Sequence, residues 1–144
     1  MKSTRGVTLI ELLLVVAIIA IVGATTIPVG SGFYRRSGFR DVVSEVAASL
    51  RTAQINAVSG KAGDSWGVRV IASEIIIFKG SSYATRDTAF DQKYKIPGSV
   101  NVTDSEVVYS YPSGNPGQTT VITVTSANQS NTLEVNEVGV VNVN

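Results

Sequence analysis

An α+β fold follows from three features of the sequence: a long apolar run near the amino terminus, an amphipathic helical stretch after it, and a carboxy-terminal half patterned for strands. Residues 7–28 read VTLIELLLVVAIIAIVGATTIP and contain one charged residue, Glu11. As a helix this run measures about 33 Å, against a bilayer hydrocarbon core of about 30 Å. It is apolar on every face, and a small domain has no interior that could enclose it. We therefore expect it to be surrounded by lipid or by other protein chains.

Helical periodicity resumes at Phe39. Val42, Val43, Val46, Ala47, Leu50, Ala53, Ala57 and Val58 recur at i+3 and i+4, with Arg40, Glu45, Arg51 and Asn56 on the opposite face. This spacing predicts a helix that lays its apolar stripe on a sheet and ends at Gly60 and Gly63. Between the two helical stretches stand Pro28, Gly30 and Gly32. Proline removes a backbone donor and glycine weakens a helix, so a break or bend is expected there.

Beyond Gly63 the pattern changes to period two, with β-branched and aromatic residues. Residues 65–72 and 74–79 predict a hairpin with a tight turn near Ser73, followed by a polar connection over 80–95. Pro97-Gly98 marks a turn, and 100–103 a short strand. Further strands are expected at 106–111, 119–125, 132–136 and 138–142, with loops at 112–117 and 127–131. The expected head is a mostly antiparallel sheet, which at this size needs the amphipathic helix to complete its core.

Composition removes several function classes. The chain has no Cys and no His, so a disulfide scaffold, a zinc site with its usual ligands and a Ser-His or Cys-His nucleophile pair are excluded. Formal charge is +1 and falls to −1 without Lys2 and Arg5, which is not the basic excess of a nucleic-acid binder. Gly60-Lys61-Ala62-Gly63-Asp64-Ser65 precedes a strand rather than opening a helix, so it is read as a loop and not a phosphate cradle. Asp87, Asp91 and Asp104 lack the spacing of a Ca²⁺ loop. Asn101-Val-Thr103 and Asn128-Gln-Ser130 match the glycosylation sequon, a motif short enough to arise by chance. Phe33, Tyr34, Arg35, Arg36, Phe39 and Arg40 form a basic-aromatic cluster, read as a membrane-interface anchor rather than a nucleic-acid contact. No catalytic residue, metal or cofactor is expected.

Glu11 separates the remaining readings of the amino terminus. A basic start, an apolar stretch and small residues near Gly23 and Ala24 also suit an ordinary secretory signal. Such a signal has no use for a carboxylate, which costs about 2.5–3.5 kcal/mol at the bilayer centre and less near an end. The string Gly6-Val7-Thr8-Leu9-Ile10-Glu11-Leu12-Leu13 closely resembles the processing site of type IV prepilins and type II secretion pseudopilins.

That resemblance implies a type IV pilin-like fold: a long N-terminal helix, hydrophobic in its first half and amphipathic in its second, packed on a mostly antiparallel β-sheet. It implies a cytoplasmic leader over 1–6, a transmembrane and filament-core helix over 7–29, an amphipathic helix over 30–60 and a β-rich head over 61–144. Cleavage by a prepilin peptidase would fall after Gly6. Val7, where phenylalanine is commonest in the family, would become the N-methylated terminus. Glu11 would then be the fifth residue of the mature chain, paired in a filament with the amino terminus of a neighbouring subunit. Pro28 would mark the place where the helix bends on assembly. Arg35, Arg36 and Arg40 follow the helix and oppose the charge bias of Lys2 and Arg5; the motif nonetheless places the leader in the cytoplasm.

The implied partners are the peptidase, an assembly platform with its ATPase, other pilin subunits, and membrane lipid before assembly. The implied location is the bacterial cytoplasmic membrane with the head outside, then a cell-surface or periplasmic filament. Trp66-Gly67, the Tyr111–Gly114 stretch and the final strand pair over 133–141 are loosely similar to H-type minor pseudopilins. A second reading is therefore a membrane-tethered or filament-tip binding module that captures DNA, sugar or a secretion substrate.

Overall fold

The computed structural model describes residues 8–144, with side chains described for 8–22 and 38–144. Its elements are one helix, α1 (Leu9–Val58), and eight strands: β1 (Trp66–Ile71), β2 (Glu74–Lys79), β3 (Asp87–Lys95), β4 (Val100–Val102), β5 (Ser105–Tyr109), β6 (Thr120–Ser126), β7 (Gln129–Val135) and β8 (Val141–Val143). The architecture is α+β with antiparallel strand pairing throughout the described sheets. The chain divides into two compact units, residues 1–36 and 37–144.

In the second unit the strands form two four-stranded sheets. One has the order β3-β2-β1-β5 and the other β4-β6-β7-β8. The expectation of a single sheet is thus corrected. Period-two patterning identifies which face of each strand is buried, and does not identify its neighbours. The chain crosses between the sheets at β4, returns at β5 and crosses again at β6, so both sheets share one core. The amphipathic part of α1 supplies Phe39, Val42, Val43, Val46, Ala47, Leu50, Ala53 and Ala57 to that core. Val68 and Val70 from β1, Ile75 and Ile77 from β2, and Ile122, Val124, Leu133 and Val135 from β6 and β7 meet them.

The helix stripe matches the 3.6-residue spacing except at its end. Val58 is 55% exposed, because the helix stops there and Gly60 turns the chain away with φ 67°. Asn56, expected on the solvent face, is 8% exposed and lies against the core. Phe39, expected in the basic-aromatic anchor, is likewise a core residue. The side chains of Phe33, Tyr34, Arg35 and Arg36 lie outside the described set.

The expected hairpin of β1 and β2 forms, with Ile71 opposite Glu74 across the turn that holds Ser73. Residues 80–95, expected as a polar connection, contain the edge strand β3. Asp87, Asp91, Lys93 and Lys95 hide this strand from a hydrophobicity reading, and charges of this kind are what an open sheet edge carries to discourage further pairing. A register shift between Ile77 and Lys79 bends the pairing of β2 with β3. The outer face of β2 is also covered. Ile76 and Phe78 are buried, and the Tyr83 ring stands edge-on to Phe78 at 5.7 Å. Arg86 lies over the Tyr83 ring, 3.8 Å from its centroid, and pairs with Asp91.

Candidate functional site

α1 begins with a local cap. The backbone N–H of Glu11 donates to Thr8 Oγ1 at 3.4 Å, and the N–H of Leu12 donates to the Thr8 carbonyl at 3.2 Å. Thr8 and Glu11 have the threonine-x-x-glutamate spacing of a capping box. Glu11 is the acid of the first turn, where the unpaired amide groups of the helix favour negative charge. Glu11 thus suits the start of a helix on local grounds alone.

The surface behind that cap needs a different explanation. Every large apolar side chain from Leu9 to Val22 is exposed, between 49% and 78%. Leu9, Ile10, Leu12, Leu13 and Leu14 face successive directions around the helix, so no single stripe can be covered by one flat partner. An exposed apolar surface of this extent marks a membrane or protein-interaction site. Among the described residues no helix is long and apolar enough to cross a membrane; the described apolar side chains of this run end at Val22.

Gly6 and Val7, the expected processing site, lie outside the described residues. Pro28, Gly30 and Gly32 fall within the bounds of α1, so they do not end the helix, and their side chains lie outside the described set. Helices tolerate an internal proline as a kink as well as a stop. The division between the two compact units falls after Arg36, a few residues beyond them.

The acids weighed for a cation are engaged elsewhere. Asp91 pairs with Arg86, Asp104 with Arg69 at 2.6 Å, and Asp87 accepts from the Ala89 N–H. One polar feature had no signal in the sequence. Tyr109 is fully buried beside Trp66, and its hydroxyl finds no protein partner, as also holds for Ser49 Oγ, Asn56 Nδ2 and Ser105 Oγ. Burial pushes the Tyr109 phenol well above its ordinary pKa.

Comparison with known proteins points to the same end of the chain. A family model, the prokaryotic N-terminal methylation motif, matches residues 1–27. A fimbrial protein of Pseudomonas aeruginosa is 43% identical over 61 residues, covering 42% of this chain and 40% of that protein. The type IV major fimbrial protein FimA of Dichelobacter nodosus is 34% identical over 92 residues, covering 63% of this chain and 58% of its own length. The chain thus spans less than two thirds of the length of either relative. No solved structure matches it. By its amino-terminal methylation motif and its match to fimbrial proteins, the chain is similar to type IV pilins.

Proposed function

We propose that the protein is a structural subunit of a type IV pilus or a type II secretion pseudopilus, made as a precursor and assembled into a helical filament. The observation that carries this reading is Glu11, the one acid in an otherwise apolar run whose described side chains are exposed on every face. An all-round apolar helix with one acid suits a bundle of like helices better than a soluble monomer. Repetition of one head-to-tail contact by a screw operation gives an open polymer.

In this reading a prepilin peptidase cuts after Gly6, and Val7 becomes the methylated amino terminus. Cleavage creates a cation one helical turn from Glu11. The Glu11 carboxylate of one subunit then meets the Val7 amine of its neighbour inside an apolar bundle. Loss of one member of a buried pair leaves the other uncompensated, at a cost of about 3–5 kcal/mol. Before assembly, residues 7–29 hold the subunit in the cytoplasmic membrane with its head outside. An assembly platform and its ATPase extract it, and Pro28 with Gly30 and Gly32 gives the helix a place to bend. The role is structural rather than catalytic.

Mass spectrometry of the mature protein tests the processing step: a chain starting at Val7 supports it, and one starting near Thr25 refutes it. Glu11→Leu tests the pairing. The variant should be processed and membrane-inserted yet absent from filaments; filaments of normal yield from it would refute the pairing. The second reading, a scarce filament-tip subunit that captures a ligand, draws on the loose likeness of the head to H-type minor pseudopilins and predicts low copy number in purified filaments.

A further inference from the structure

We propose that the head binds an acidic monosaccharide of the hexuronate type in the groove between the start of the amphipathic stretch of α1 and the β6–β7 turn. The groove has a volume of about 370 Å³ and is lined by Phe39, Arg40, Val43, Ser44, Gln129 and Asn131. That volume lies within the range of small-ligand sites. The groove belongs to one chain, so the inference does not rest on the filament reading.

The strand pattern shows why this end of the sheet is unusual. Side chains two residues apart on a strand share a face, so Asn131 and Gln129 continue the row that Leu133 and Val135 begin in the core. Opposite them, Val124 pairs with Asn131 and Ser126 with Gln129. The inward face thus changes from aliphatic to carboxamide and hydroxyl where α1 carries Arg40 and Ser44.

The donor set selects the ligand class. Arg40 is the only charged residue lining the groove, and it takes part in none of the ion pairs among the described residues. A guanidinium presents a planar fork that suits a carboxylate. Gln129 and Asn131 each offer donors and an acceptor, which matches hydroxyl groups that donate and accept in turn. A phosphomonoester dianion would serve Arg40, but its phosphoryl oxygens carry no proton to donate to the two amide oxygens. Phe39 and Val43 line the groove as nearly fully buried core residues, so the polar groups make the contacts with the ligand. The cleft on the other flank of α1 is lined by Asp41, Glu45, Lys93 and Lys95, charges of both signs that select no one ligand.

The test uses the full chain in detergent micelles, following the side-chain amide NMR signals of Gln129 and Asn131 during titration with D-glucuronate, D-glucose or acetate. D-Glucuronate should give a saturable shift at millimolar concentration, with D-glucose and acetate each about tenfold weaker. Arg40→Met, at an exposed position, should retain the unfolding temperature and lose the preference for D-glucuronate over D-glucose. No saturable shift with D-glucuronate, acetate binding of equal strength, or an unchanged preference in Arg40→Met would each overturn the proposal.

Discussion

Gln54 on α1 donates its side-chain amide to the carbonyl of Gly114 at 3.2 Å, and the same nitrogen reaches the carbonyl of Val138 at 3.2 Å. One helical side chain thereby ties together two loops 24 residues apart in sequence. Gly114 itself packs against Val58 near the end of α1. Gln54→Ala should destabilise the head by about 1 kcal/mol, the net worth of a partly exposed hydrogen bond. Hydrogen exchange should rise at residues 113–115 and 138–140 and stay unchanged in β1 and β2. Uniform acceleration across the head would show that Gln54 does not act locally.

Tyr109 gives a pH-dependent prediction. Burial raises its phenol pKa in the folded protein above the unfolded value of about 10. The folded state thus favours the neutral phenol. That contribution is fully present below about pH 10 and is lost as pH rises above it towards the folded pKa. Thermal unfolding of the full chain should therefore drop steeply in alkali. Tyr109→Phe should flatten that drop, and near neutral pH it should cost little, because the hydroxyl has no protein partner to lose.

Gly67 sits on β1 opposite Phe78, and a Cβ there would collide with the Phe78 ring and the Val107 carbonyl. Gly67→Ala should destabilise by about 1–3 kcal/mol through overpacking. Denaturant unfolding measures it. A second change, Phe78→Leu, should recover part of the loss by withdrawing the ring edge.

Arg86 and Asp91 pair at 3.1 Å, and the Asp91 side chain is only 6% exposed. Arg86→Met should cost about 2–4 kcal/mol, since it leaves a buried carboxylate with only the more distant Lys93 at 4.0 Å and uncovers the Tyr83 ring. Arg86→Lys should recover less than half, because an ammonium cannot keep the two contacts of the guanidinium nitrogen with both Asp91 oxygens while stacking on tyrosine. Unfolding of the three proteins at two salt concentrations checks the ranking, and a weak salt dependence is expected for a shielded pair.

The helical stripe was readable residue by residue because a 3.6-residue period against a flat partner admits one buried face. Phe39, Val42, Val43, Val46, Ala47, Leu50, Ala53 and Ala57 are in the core as that period requires. Asn56 was not readable, because a polar side chain on the edge of the stripe gives no signal of burial by itself. Strand β3 escaped for the opposite reason: its edge position permits charges that a hydrophobicity reading assigns to a loop. The Arg40 groove had no signal in the sequence either, since Ser44 and Asn131 are 87 residues apart and meet only through the packing of α1 beside β7.

The sequence by itself determined that the chain carries a pilin-type amino terminus, an apolar helix with one acid, and a helix-and-strand head. Those properties are local in the chain, written in residue order, spacing and period. The tertiary structure alone decided that the strands divide into two sheets around one core, that Gln54 joins two loops, and that Asp91 is shielded by Arg86. Pairing between distant segments depends on which buried faces fill the same space, and a one-dimensional pattern carries the faces without their partners.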